Sequence, residues 1–299
     1  MKYFKKIIRW MAFCALQGVA LFVRYPSWRF GVRIGGWLGV MMFYLLKKER
    51  TRSIESLKVA YGSQRSTEEL SRIVRKNFRN LGKGLVEILN LQYLKPHQID
   101  ALISIEGEEY LKEAASRGKG IILITGHCGN WELLGAAMAI RGYPLHVIAA
   151  PLYDPRIDEW IIRLRSRFNI ATISRGSPSS SRKILNVLRK KEMLALLIDQ
   201  DTRVDGVFVN FFNKKANTPS GAARLALRSG ATTIMFFIAR LSGDRHQITI
   251  HKPVALTRTS DAEKDVETNT AQFTSTIEAH IRQYPDQWVW MHRRWRTKP

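Results

Sequence analysis

His127 and Glu132 are the side chains in this sequence whose types and spacing could move a proton. They stand in "GIILITGHCGNWELLG", residues 120–135, where a β-branched run gives way to an apolar helical pattern. Gly126 and Gly129 allow a tight turn, and Asn130 is a good helix N-cap, so Glu132 falls in the first helical turn. A carboxylate there is favoured by the helix dipole and stays ionised. Folded back onto His127, it would hold one ring nitrogen as a donor and leave the other as a base. No G-x-S-x-G nucleophile elbow occurs. A histidine base without an enzyme nucleophile points to activation of a substrate hydroxyl, as in acyl transfer from a thioester to an alcohol. Cys128 is a possible thiol nucleophile, but a small buried cysteine beside a turn is the favoured reading. No second histidine lies at helical spacing from His127, so neither a metal site nor a cofactor is expected.

The elements around this turn alternate. Expected strands are Leu102–Ile105, Ile121–Thr125, Leu145–Ala149, Ala171–Ile173, Leu194–Ile198, Thr232–Ala239 and Gln247–His251. Helical patterns lie between them at Gly107–Arg117, Trp131–Arg141, Pro155–Arg167, Pro178–Lys190 and Pro219–Ser229, with a last helix at about Ala262–Gln283. Ser177-Pro178 and Thr218-Pro219 read as a cap followed by proline at the first helical position. Upstream, Ser66–Leu91 is an amphipathic helix opened by a Ser66/Glu69 capping box. Such alternation predicts an α/β fold with a mixed or mostly parallel central sheet flanked by helices. Ligands of such sheets bind beyond the carboxyl ends of the strands, where His127 falls.

The chain has 299 residues, with 48 Lys and Arg against 25 Asp and Glu and a formal charge of +23. That field favours anionic partners. The two cysteines make no disulfide framework. Near the N-terminus a basic start precedes two apolar runs, Trp10–Val23 and Ile34–Leu46, each flanked by Lys and Arg. A spanning helix needs about 20 apolar residues; the first run barely approaches this and the second falls short. Residues 1–50 are therefore expected to form a membrane-embedded or interfacial helical segment, and residues 51–299 a cytosol-facing α/β domain. A single spanning helix and a pair of buried helices are the alternatives.

The stretch "GHCGNWE" resembles the histidine–four-residues–acid motif of the lipid A late acyltransferases, the Kdo-dependent lauroyl and myristoyl transferases, and of the related phosphatidylinositol mannoside acyltransferases. The resemblance continues through "RLRSRFNIATISR", "LLIDQD", "GVFVNFFNKKANTPSGAARLALRSGA" and "YPDQWVWMHRRWR". It implies His127 as general base with Glu132 as its partner. It also implies Asn130, Arg165, Arg167, Arg175, Asp199, Gln200 and Arg240 as residues at the substrate. The family acid is often Asp, and here it is Glu. The implied donor is an acyl carrier protein or coenzyme A thioester. The implied acceptor is a glycolipid, a lipid A precursor or else a phosphatidylinositol mannoside, met at the cytoplasmic face of the inner membrane. Thr218-Pro219 matches the start of a helix in the family.

A rival reading is a membrane-tethered nucleic-acid-binding protein, drawn from the basic excess and the "WVWMHRRWR" tail, where Trp288, Trp290 and Trp295 alternate with arginines. No nucleic-acid-reading motif supports it, and the positive charge is spread along the chain, so no nucleic acid is expected. The plainer expectation is a C-terminal segment docked on the core, with Trp288 and Trp290 on one side of a strand.

Overall fold

The computed structural model describes residue 18 and residues 27–299. Helices α1 (Trp28–Leu45), α2 (Lys47–Tyr61) and α3 (Thr67–Leu91) precede a short α4 (Pro96–Asp100). Strands β1 (Ile103–Glu106), β2 (Ile121–Thr125), β3 (Leu145–Ala149), β4 (Ala171–Ser174) and β5 (Met193–Leu197) follow. They are separated by α5 (Glu108–Ser116), α6 (Trp131–Ile140), α7 (Pro155–Arg167) and α8 (Ser180–Arg189). A hairpin of β6 (Gly206–Phe211) and β7 (Lys214–Pro219) leads to α9 (Gly221–Ser229), β8 (Thr232–Arg240), β9 (His246–Ile250) and α10 (Ala262–Gln283).

The main sheet has the order β1-β9-β8-β2-β5-β3-β4. From β8 to β4 all neighbours are parallel, and β9 turns back antiparallel to β8 with β1 parallel to it. This is the mostly parallel, helix-flanked sheet that the alternation predicts. Strand β2 lies at its centre and is buried at every position. Helices on both faces require such a continuous apolar run. Ile122 and Ile124 pack with α9 and α10 on one side, and Ile121 and Leu123 pack with α5 and α6 on the other.

The Ser66/Glu69 capping box opens α3 as expected, with both reciprocal hydrogen bonds present. Two expected helix starts shift. Helix α8 begins at Ser180, beyond Ser177-Pro178, and Thr218-Pro219 closes β7 instead of opening α9. A proline is tolerated at the end of β7 because no further strand partner needs its missing N–H.

The apolar run Trp10–Val23, apart from Gly18, lies outside the described residues. The second run falls within α1. Among the described residues no helix is long and apolar enough to cross a membrane. Helix α1 lies against α3 along a glycine seam. A Cβ at Gly39 would sit 2.1 Å from the Phe78 carbonyl oxygen, and one at Gly82 2.1 Å from that of Gly35. Only glycine permits so close a backbone approach. The opposite face of α1 leaves Phe30, Trp37, Met41 and Tyr44 exposed. The boundary expected at residue 50 falls inside α2, with no break in the helix.

Candidate active site

Parallel pairing builds the centre of the site. Thr125 at the end of β2 aligns with Leu197 at the end of β5. The residues two places beyond, His127 and Asp199, therefore emerge side by side at the carboxyl edge. The Asp199 Oδ1 lies 2.8 Å from His127 Nδ1. Its Oδ2 accepts the His127 backbone N–H at 2.8 Å and the Trp288 indole N–H at 2.6 Å. Burial alone would raise the Asp199 carboxyl. The charge of His127 and the hydrogen bonds from the His127 ring, the Trp288 indole and the His127 amide outweigh it, and the pKa falls to about 2. An ionised carboxylate makes Nδ1 the protonated nitrogen and leaves the Nε2 lone pair available. Among the described residues Nε2 has no hydrogen-bond partner, and the ring borders a cavity with Trp131 edge-on at 5.1 Å.

Glu132 does not take the place expected for it beside His127. Its two oxygens accept from Arg165, Oε2 from Nε at 2.9 Å and Oε1 from Nη2 at 2.6 Å. The helical turn that fixes Glu132 aims it across at α7, and the forked guanidinium matches both carboxylate oxygens. Arg165 Nη1 has no protein partner among the described residues. Both side chains border the same cavity as His127.

Other expected substrate residues prove to be engaged by protein. Asn130 caps α6 as expected: its Oδ1 accepts from Leu133 N–H at 3.1 Å, and its Nδ2 donates to Glu87 at 2.9 Å. Arg240, rather than facing a substrate phosphate, donates to both oxygens of the fully buried Glu87, at 2.5 and 2.8 Å. His246 Nε2 adds a contact to the same carboxylate at 3.0 Å. Burial would raise the Glu87 carboxyl, but the charges of His246 and Arg240 and their hydrogen bonds bring it down to about 2. Asp199 is buried, accepts two of its three hydrogen bonds from His127 and does not line the cavity. Gln200 and Arg175 do line the cavity, whereas Arg167, exposed at the end of α7, does not.

The turn itself is fixed from beneath. Gly129 has φ +58°, and a Cβ there would lie 2.3 Å from the Ile238 carbonyl oxygen. Its N–H donates to the Gln287 carbonyl at 2.8 Å, while Cys128 makes an isolated antiparallel bridge with Trp288. Cys128 is buried, and burial together with the charge of Asp199 pushes its thiol well up, which works against the thiolate a nucleophile needs. The C-terminal segment is thus docked on the core, through a bridge and not a full strand. Trp288, Trp290 and Arg294 are buried and offer no stacking platform for bases. The contacts of Trp288 with Asp199 and of Glu87 with Asn130, Arg240 and His246 were not legible in the sequence. A tryptophan and an acid inside apolar patterns carry no mark of the partner they meet.

The cavity has a volume of about 480 Å³, in the range of ligand sites. It descends from His127 between α6, α7 and strands β3 to β5, and its walls are largely apolar, with Leu134, Val147, Ile161, Leu197 and Phe236 among them. No grouping of His, Cys, Asp and Glu fit to hold a metal occurs among the described residues.

Comparison with known proteins extends over the whole chain. The family model for bacterial lipid A biosynthesis acyltransferases matches residues 1–297. The chain is similar to a lipid A biosynthesis palmitoleoyltransferase of Escherichia coli (strain K12), 29% identical over 97% of this chain and 92% of the relative. It is 26% identical to a lipid A biosynthesis lauroyltransferase of the same strain, with the same two coverages. A phosphatidylinositol mannoside acyltransferase of Mycolicibacterium smegmatis is 20% identical over 75% of this chain and 72% of its own length.

Proposed function

Because the chain belongs to the bacterial lipid A biosynthesis acyltransferase family, we propose that it transfers a fatty acyl chain from a carrier thioester to a hydroxyl of a lipid A precursor. The observation that carries this reading is a histidine with Nδ1 held by a buried carboxylate and Nε2 free beside an apolar cavity. Nε2 takes the hydroxyl proton as the lipid oxygen attacks the thioester carbonyl. The tetrahedral intermediate then expels the thiolate, which receives that proton from the imidazolium. Arg165, braced by Glu132, keeps Nη1 to stabilise the oxyanion. Glu132 thus serves the reaction through Arg165, while Asp199 orients the base. Gln200 and Arg175 contact substrate at the rim.

The donor is read as an acyl carrier protein thioester, since a small acidic carrier is steered by a +23 chain; coenzyme A is the alternative. The place of action is read as the cytoplasmic face of the inner membrane. The exposed aromatic face of α1 supports this, because Trp and Tyr favour the membrane interface. A phosphatidylinositol mannoside acceptor remains a second reading, favoured by the Mycolicibacterium smegmatis relative.

The test is transfer from labelled acyl carrier thioester to lipid acceptor. His127→Ala is expected to lower kcat by about 10²–10⁴-fold, the usual worth of a positioned base. Asp199→Asn lowers it comparably by releasing the wrong tautomer, as in other His–carboxylate pairs. Full activity in folded His127→Ala removes the reading.

A further inference from the structure

Gly135 stands in the middle of α6, a buried helical position where glycine lowers helix stability relative to alanine. Nothing in its packing demands a glycine. An added Cβ would lie 3.4 Å from Ile170 Cδ1 and 3.7 Å from Leu145 Cδ2, ordinary contact distances, and the backbone φ is not positive. The seam glycines Gly39 and Gly82 differ, because there a Cβ would strike backbone. What occupies the space beside Gly135 is the cavity: Gly135, Leu145 and Ile170 all line it.

Register locates Leu145 and Ile170 at the far end from His127, and Gly135 lies against both. Leu145 opens β3 and aligns with Met193, which aligns with Ile121, the first residue of β2. Ile170 directly precedes Ala171 of β4, which aligns with His146. His127 lies beyond Thr125, the last residue of β2. From Thr125 down to the level of Ile121 is about 13 Å at the usual strand rise of ~3.3 Å per residue. Leu145 and Ile170 are buried, whereas Leu152 and Arg175 at the rim are exposed. The cavity is open beside the catalytic turn and shut at the strand starts.

We infer that Gly135 sets the longest acyl chain the protein accepts, its missing side chain leaving room for the methyl end of the donor's tail. This rests on the reading of the cavity as the acyl site. The carbonyl must reach His127 Nε2 and the hydroxyl it activates, so the tail points down the slot. Each carbon added to the floor then excludes carbon from the ligand.

The test compares the parent with Gly135→Ala, Gly135→Val and Gly135→Leu on a homologous series of saturated acyl carrier protein thioesters, with products identified by mass spectrometry. The readout is the ratio of kcat/KM for the longest chain the parent uses to that for the shortest. A methylene in an apolar pocket is worth about 10–200-fold. The ratio is therefore expected to fall about tenfold or more in Gly135→Leu, with Gly135→Ala intermediate. If Gly135→Leu does not fold, Gly135→Ala and Gly135→Val decide by the same ratio. Folded variants with an unshifted ratio overturn the inference alone, as does an equal loss at every length. A parent that transfers no chain from any thioester removes the acyl-transfer reading, and this inference with it.

Discussion

At the scale of single residues, the centre is a buried carboxylate held by three donors. Asp199 accepts from the His127 ring, the His127 amide and the Trp288 indole, so it has little freedom to turn. Trp288 is a core residue that on the proposed reading also positions the base through Asp199. Trp288→Phe keeps most of the bulk and removes one N–H. It is expected to cost about 1.5–3 kcal/mol of stability, as for a hydrogen bond to a charged group, and to lower kcat about tenfold. Thermal denaturation and single-turnover rates check both; an unchanged rate would leave Trp288 with packing alone. The importance of His127 was readable because it is an ionisable residue at a strand end. Its partner was not. Glu132 is near in sequence, whereas Asp199 is brought in by the register of β2 on β5, and register is a tertiary fact.

At the scale of elements, α1 is held on α3 by backbone contact. Gly82→Ala pushes a methyl against the Gly35 carbonyl and Gly39 and is expected to destabilise by about 1–3 kcal/mol, as overpacking does. Gly84→Ala, two residues on, meets no atom within 4 Å and is expected to be neutral or stabilising by up to ~1 kcal/mol. Chemical denaturation of the pair checks the seam; equal midpoints would argue against it. The central strands β2 and β8 were legible because burial on both faces leaves a nearly uninterrupted apolar run. The β6–β7 hairpin was not. Its turn places Phe212 and Asn213 at positive φ, unfavourable for phenylalanine. The conformation is held from α10, where Glu278 accepts the Phe212 N–H at 2.6 Å and Arg282 lies over its ring. No local pattern in "FFNKKANTP" announces that support.

At the scale of the whole molecule, two buried carboxylates tie distant parts of the chain together. Glu87 joins α3 to β8, β9 and the cap of α6, and Asp199 joins β5 to the turn that carries His127 and to the C-terminal segment. Both have pKa values depressed by folding, from 4.5 and 3.8 to about 2. A depressed carboxylate contributes stability that is complete above its unfolded pKa and disappears as pH falls toward the folded one. Melting temperature is thus expected to hold down to about pH 4.5 and to decline between there and pH 2. Glu87→Gln should be less stable at neutral pH and flatter across that window. A parallel decline in parent and variant would show that other groups control acid unfolding. The buried face of α1 reaches the cavity wall, since Val32 packs with Val86, Leu89 and Trp160, and Trp160 borders the cavity.

A slot shut at one end empties by the route it fills. On the proposed reading, the tail belongs to the lipid once the ester has formed but still occupies the shaft, so the acceptor is tethered by its own new chain. Turnover on that reading finishes with withdrawal of a hydrocarbon from the slot. Its pace would then set turnover alongside the chemistry proposed for His127, and would slow as the chain lengthens.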